Sequence, residues 1–289
     1  MTSAANKILA TESSLGEAEC EARRRLRRRR LVVNALQIAV LVAALGSWEL
    51  SARFGLTDPF FYSMPSAIAA QLWVWMREGT SQGSLWWQVL VTLEETCLGF
   101  LIGSVLGVIG GIALGRNKML ADIFSVYIKV ANSVPRVVLG SVFIMALGLG
   151  MWSKVALAVV MVFFVVFGNA FQGVHEADRN LIANAHILGA SRRQVTFSVV
   201  LPSALTWILA SLHVSFGFAL VGAVVGEFLG ARQGIGLLIA TAQGTFNSAG
   251  VFAAMIVLGV VALIAEFAIT RLENVLVKWR PAQFTDTGY

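Results

Sequence analysis

Gly189 is followed, ten to thirteen residues later, by Val199-Val200-Leu201-Pro202. These residues belong to a polar, basic stretch that begins at His175, between two long apolar runs. The stretch is too polar to cross a bilayer, yet Leu181, Ile182, Ala185 and Leu188 recur at helical spacing. The pattern describes a mechanical device rather than a reactive one. A short amphipathic helix of about 181–188 ends at a glycine, and a proline opens the next apolar span. The small residues Ala183, Ala185, Ala190 and Ser191 let such a helix sink into a groove on a soluble partner, and its displacement passes to the span.

Bond-making chemistry is missing from the sequence. It holds no Gly-x-x-x-x-Gly-Lys-Ser/Thr phosphate loop, no His-Glu-x-x-His and no Cys-x-x-Cys. Three histidines (His175, His186 and His213) make no metal cage, and no nucleophile stands beside a base. Cys20 in the tail and Cys97 in a span do not pair. The expectation is therefore no catalytic residue, metal or cofactor in this chain. If it moves solute uphill, an ion gradient or a separate ATPase supplies the work.

Polar groups inside the apolar runs are the second set of candidates. A charged side chain at mid-bilayer costs at least about 2.5–3.5 kcal/mol on insertion scales. Lys129, Arg136, Glu94, Glu95, Glu227 and Glu266 therefore need partners or water. Asn132, Ser133, Pro135 and Arg136 cluster in one span, where Pro135 removes a backbone hydrogen bond. Exposed carbonyls there are tolerable only beside protein or a wet cavity. These four, with Glu227, are the candidates for a translocation path. The alternative for the break is a kink that shapes packing. Lys129 can pair with Asp122, Glu266 with a basic residue, and His213, Ser211 and Ser215 across helices.

The elements that must position these residues are membrane spans. The 289 residues are 57% apolar and 13% charged, roughly half the charge of an ordinary soluble domain. Apolar runs of about 20 residues match the hydrocarbon thickness. Six are readable, at about 32–53, 88–114, 121–148, 154–174, 202–227 and 251–273, the third broken or kinked. The arginines from Arg23 to Arg30 abut the first span and place the N-terminus in the cytoplasm. Six spans then put Arg116, Lys118, Arg179, Arg192, Arg193, Arg271, Lys278 and Arg280 on that same side. The arginine run lacks interleaved aromatics, so it speaks for anionic lipid and orientation, not nucleic acid.

The chain divides into a basic, partly disordered cytoplasmic tail (1–30), a transmembrane domain (31–280) with a cytoplasmic loop at 175–201, and a short tail (281–289). Between the first two spans, Ser66 is placed to cap an interfacial helix running to about Arg77. Gly99, Gly103, Gly107, Gly111 and Gly115 form a smooth ridge on the second span, suited to close helix approach. Six spans enclose little alone, which points to a dimer.

Ala185, Gly189, Val199, Leu201 and Pro202 match the spacing of a cytoplasmic signature, Glu-Ala-Ala, three residues, Gly, nine residues, Ile-x-Leu-Pro. On these residues the chain resembles the membrane subunits of bacterial ABC importers of the nitrate/sulfonate/taurine branch. Leu98-Gly99-Phe100, Val134-Pro135-Arg136, Ser153-Lys154, Asn169, Gly173, Gly226-Glu227 and Gly234-Ile235-Gly236 also fit. Two departures stand out in the loop: Ala183 replaces the usual glutamate, and Asn184 an alanine. Glu95 stands where many such permeases carry a basic residue.

The resemblance implies an all-α integral membrane protein with six transmembrane helices and the type I ABC importer permease fold. It implies a homodimer in the bacterial inner membrane, seated on two ABC ATPase subunits that hold ATP and Mg, and fed by an extracytoplasmic solute-binding protein. Solutes in this branch include sulfonates, nitrate, bicarbonate, aromatic acids and pyrimidine precursors. The rival reading is an ion-coupled secondary transporter using Glu94, Glu95, Glu227 and Glu266, which would usually show the inverted repeats absent here. A non-transport scaffold is the third, and would not require the broken span.

Overall fold

The computed structural model describes residues 2–176, 183–185 and 187–276. The chain forms two compact units, 1–67 and 68–289. In the first, α1 (Thr2–Arg53) is one continuous helix. A disordered lead is thus replaced by helix, consistent with the Ala, Glu, Leu and Arg that crowd residues 4–30 and favour it. After the short α2 (Pro59–Tyr62), α3 (Pro65–Arg77) begins one residue before Ser66. Its first donors are met by Glu49 rather than by the Ser66 side chain. The Ser66 N–H donates to Glu49 Oε2 at 3.0 Å and the hydroxyl to Oε1 at 2.8 Å. A carboxylate at a helix N-terminus is the favourable pole for its charge.

In the second unit, α4 (Leu85–Gly115), α7 (Met151–His175) and α9 (Leu201–Leu229) form the packed centre. The middle of α7 is apolar on every side and buries Leu157, Ala158, Val162, Val166 and Ala170 completely. The glycine ridge of α4 lies against this helix. A Cβ on Gly107 would stand 2.9 Å from the Val166 Cβ and 3.0 Å from the Phe163 carbonyl oxygen. The ridge thus lets two backbones approach to a distance no side chain permits.

Between α4 and α7 the third span is broken. It consists of α5 (Lys118–Ser133), a 3-10 turn (Arg136–Val138) and α6 (Leu139–Leu147), bent by 77°. Pro135 fixes its own φ at −62° and holds Val134 extended, at φ −75° and ψ 127°, so the helix cannot continue. Among the described residues, five helices, or six spans with the bent pair, are long and apolar enough to cross a membrane. The segment 228–250, between the fifth and sixth spans expected from the sequence, contains a further short apolar helix, α10 (Ile235–Gly244). It buries Ile235, Leu238 and Ala242 before α11 (Ser248–Leu276) makes the last span.

Candidate functional site

Four polar residues of α4, Gln88, Thr92, Glu95 and Thr96, recur at helical spacing and are buried. Gln88 and Thr92 meet the first turn of α10. Gly234 N–H donates to Gln88 Oε1 at 2.6 Å, and Ile235 N–H to Thr92 Oγ1 at 2.9 Å. Gly236 N–H donates to Glu227 Oε2 at 2.7 Å, while Thr92 Oγ1 donates to Glu227 Oε1 at 2.7 Å. Three donors at a helix start, which have no partner within the helix, are thereby all satisfied. Gly234 sits at φ +111°, and a Cβ there would collide with the Glu227 carboxylate. Glu227 is fully buried in this latch.

Glu95, also buried, lies beside Glu227, and its Oε2 has no partner among the described residues. Lys154 at the start of α7 is the cation that both carboxylates feel. Its Nζ donates to the carbonyls of Leu149 and Gly150 at 2.6 and 3.0 Å. One side chain thus ties the α6–α7 turn to the charge of the latch.

At the break of the third span, the Arg136 Nη2 donates to Asn132 Oδ1 at 2.7 Å. Its guanidinium carbon lies 4.9 Å from the centre of the Phe164 ring on α7. Ser133 donates to the Lys129 carbonyl at 2.9 Å. Pro135 stands at the corner. Asn132, Ser133, Pro135 and Arg136 are therefore together, whereas Glu227 belongs to the latch. On α9 and α11, His213 Nε2 and Glu266 Oε1 pair at 2.5 Å.

The loop candidates occupy a compact turn. Leu181, Ile182 and His186 lie outside the described residues, as do Asp178 and Arg179. Residues 183–185 and Ile187 are helical. Leu188 N–H donates to the Asn184 carbonyl at 3.0 Å and Ala190 N–H to the Ala185 carbonyl at 2.9 Å. Gly189 takes φ +81° between them, the closing geometry of a helix end that glycine adopts at low cost.

One residue later Ser191 starts another helix. Its hydroxyl accepts from Gln194 N–H at 3.3 Å, and the Gln194 side chain accepts from Ser191 N–H at 2.8 Å, a reciprocal cap. That helix, α8 (Arg192–Val195), runs through a π turn (Thr196–Val200) into α9. Pro202 takes the second position of α9, so it opens the α-helix of the span as its sequence position suggests, and the π turn joins that helix to α8. A proline in the first turn of a helix has no intrahelical N–H to lose. Val199 and Leu201 are half-buried at this junction.

The profile of the family described as binding-protein-dependent transport system inner membrane component matches residues 99–278. The chain belongs to this family.

The permease is 30% identical over 237 residues to the formylaminopyrimidine transport permease protein of Halalkalibacterium halodurans, covering 82% of this chain and 92% of that one. It is 27% identical to the taurine transport system permease protein of Escherichia coli, covering 84% and 89%. Its fold matches the inward-facing MetNI methionine ABC transporter with TM-score 0.59 at 19% identity, over 67% of this chain and 96% of that one. The permease has the type I ABC importer fold and is a multi-pass inner-membrane protein.

Sequence reading named Glu227 and Lys154 but not their partners. Thr92 and the N–H of Gly236 are the partners of Glu227, Gln88 holds the N–H of Gly234 beside them, and Lys154 bonds the Leu149 and Gly150 carbonyls. The signal was present: polar residues at positions 88, 92, 95 and 96 mark one helix face in an otherwise apolar span.

Proposed function

We propose that this permease imports a small organic or oxyanion solute and draws its work from a separate ABC ATPase seated on the segment 183–201. Two copies and two ATPase subunits form the assembly, with the N-terminus cytoplasmic and an extracytoplasmic binding protein delivering solute. ATP and Mg reside on the ATPase. Ala183, Ala185, Gly189 and Ala190 form the contact, and Val199, Leu201 and Pro202 pass its movement to α9.

The observation that carries this reading is the exposed helix end. Ile187 and Leu188 are 82% and 86% exposed, and only Gly189 and Ala190 separate them from the capped helix that continues into α9. Apolar side chains so exposed at a rigid junction are suited to a partner surface. The sulfonic acid taurine and a pyrimidine are named for the relatives' transport, which supports a small polar solute.

A photo-crosslinking residue at Leu188, introduced into cells that express the whole transporter, tests the contact. The expected product is an adduct with a nucleotide-binding subunit, absent when the crosslinker stands at Phe246. Equal capture at both positions, or none at Leu188, overturns the assignment.

A further inference from the structure

Every polar residue of α5 falls on one face. At 100° per residue, Lys118, Asp122, Ser125, Lys129, Asn132 and Ser133 lie within an arc of about 100°, and no apolar residue interrupts it. Met119, Ile123, Phe124, Val126, Tyr127 and Val130 cover the rest of the exposed circumference. Asp122, Lys129, Asn132 and Ser133 are themselves exposed. The stripe continues past the corner to Arg136.

Its charge is unbalanced. Among the described residues, neither Lys129 nor Arg136 forms an ion pair. Among the described residues, a neutral amide and an aromatic ring hold Arg136, and its Nε has no partner. Ser125 and Ser133 turn their hydroxyls back to the Asp122 and Lys129 carbonyls, so they offer the cations nothing. Beyond Lys118 at the start of α5, this face carries two cations, Lys129 and Arg136, against one carboxylate, which within a span is costly against lipid and favourable against water.

We infer that this stripe lines a water-filled passage in which Lys129 and Arg136 receive the negative group of an anionic solute. The inference rests on the proposed transport function and adds to it the charge of the solute and the residues that meet it. Asp122 stands two turns before Lys129 and limits the depth of the positive zone.

The test is cysteine labelling of the full-length permease in membrane vesicles, with Cys20→Ser and Cys97→Ser as background. Ser125→Cys and Asn132→Cys are compared with Ile123→Cys and Val130→Cys. The probes are two water-soluble methanethiosulfonates, one bearing a sulfonate and one a trimethylammonium group. The expected result is labelling about tenfold or more faster at 125 and 132 than at 123 and 130, as water access requires.

The sulfonate reagent is expected to be favoured at both stripe positions, relative to a free thiol, and Lys129→Gln to reduce that preference. Equal labelling on the two faces overturns the inference. So does a preference for the cationic reagent, the outcome for a helix lying flat on anionic headgroups. Stripe labelling that is unchanged by ATP in the whole transporter leaves the passage standing and counts against ATP coupling instead.

Discussion

Thr92 gives its hydroxyl proton to Glu227 at 2.7 Å and takes the N–H of Ile235 at 2.9 Å, so one side chain joins α4, α9 and the start of α10. Valine has the same shape and can do neither. Thr92→Val leaves a buried N–H and a buried carboxylate oxygen short of partners, at a cost of about 1–3 kcal/mol. Thr92→Ser retains both bonds. Thermal unfolding in detergent should show a clear loss for valine and near-native behaviour for serine. Equal midpoints would show that the latch contributes nothing.

Lys154 and Glu95 should be coupled. Lys154→Met removes the cation near two buried carboxyls and takes the donor from the Leu149 and Gly150 carbonyls, which costs about 1–3 kcal/mol. Adding Glu95→Gln to Lys154→Met removes one carboxylate and should recover part of that loss. A double-mutant cycle on detergent stability measures the coupling. Additive losses would mean that the two residues act independently.

Gly107 and Gly217 separate tight packing from spare space. A Cβ on Gly107 meets Val166 and the Phe163 carbonyl at 2.9–3.0 Å, and one on Gly217 meets nothing within 4 Å. Gly107→Ala should cost about 1–3 kcal/mol through overpacking, seen as lower yield of folded protein. Gly217→Ala should be tolerated. Similar yields for both would argue that α4 and α7 can separate freely.

The spans were legible because lipid permits little else: about 20 apolar residues in a row, and charge that follows the positive-inside rule. Pro135 announced the break, and the ridge from Gly99 to Gly115 announced a close neighbour. The neighbour's identity was not legible, since α7 presents ordinary Ala, Val and Phe to it. Helix α10 escaped because ten residues are too few for a span and its glycines read as loop. Glu227 looked like a lone charge in a membrane. Its partners are the backbone N–H of Gly236 and a threonine 135 positions earlier, and only the fold brings them together.

Gly189 isolates the effect of backbone shape. No atom lies within 4 Å of a Cβ placed there, so substitution strains only the φ of +81°. Gly189→Ala should cost about 1 kcal/mol or somewhat more locally. Gly189→Val should perturb the turn further, lowering transport per ATP while membrane insertion stays normal. Membrane-fraction yield and the ratio of solute moved to ATP hydrolysed are the measurements. An unchanged ratio for valine would remove Gly189 from the coupling path.

The most direct measurement is the energy source of uptake. Proteoliposomes holding the permease with its ATPase, given the ligand of its cognate binding protein, should accumulate solute only with ATP on the ATPase side. A hydrolysis-dead ATPase should abolish uptake, and a protonophore should leave it intact. Uptake that survives the dead ATPase and collapses with the protonophore would contradict the account and favour an ion-coupled carrier.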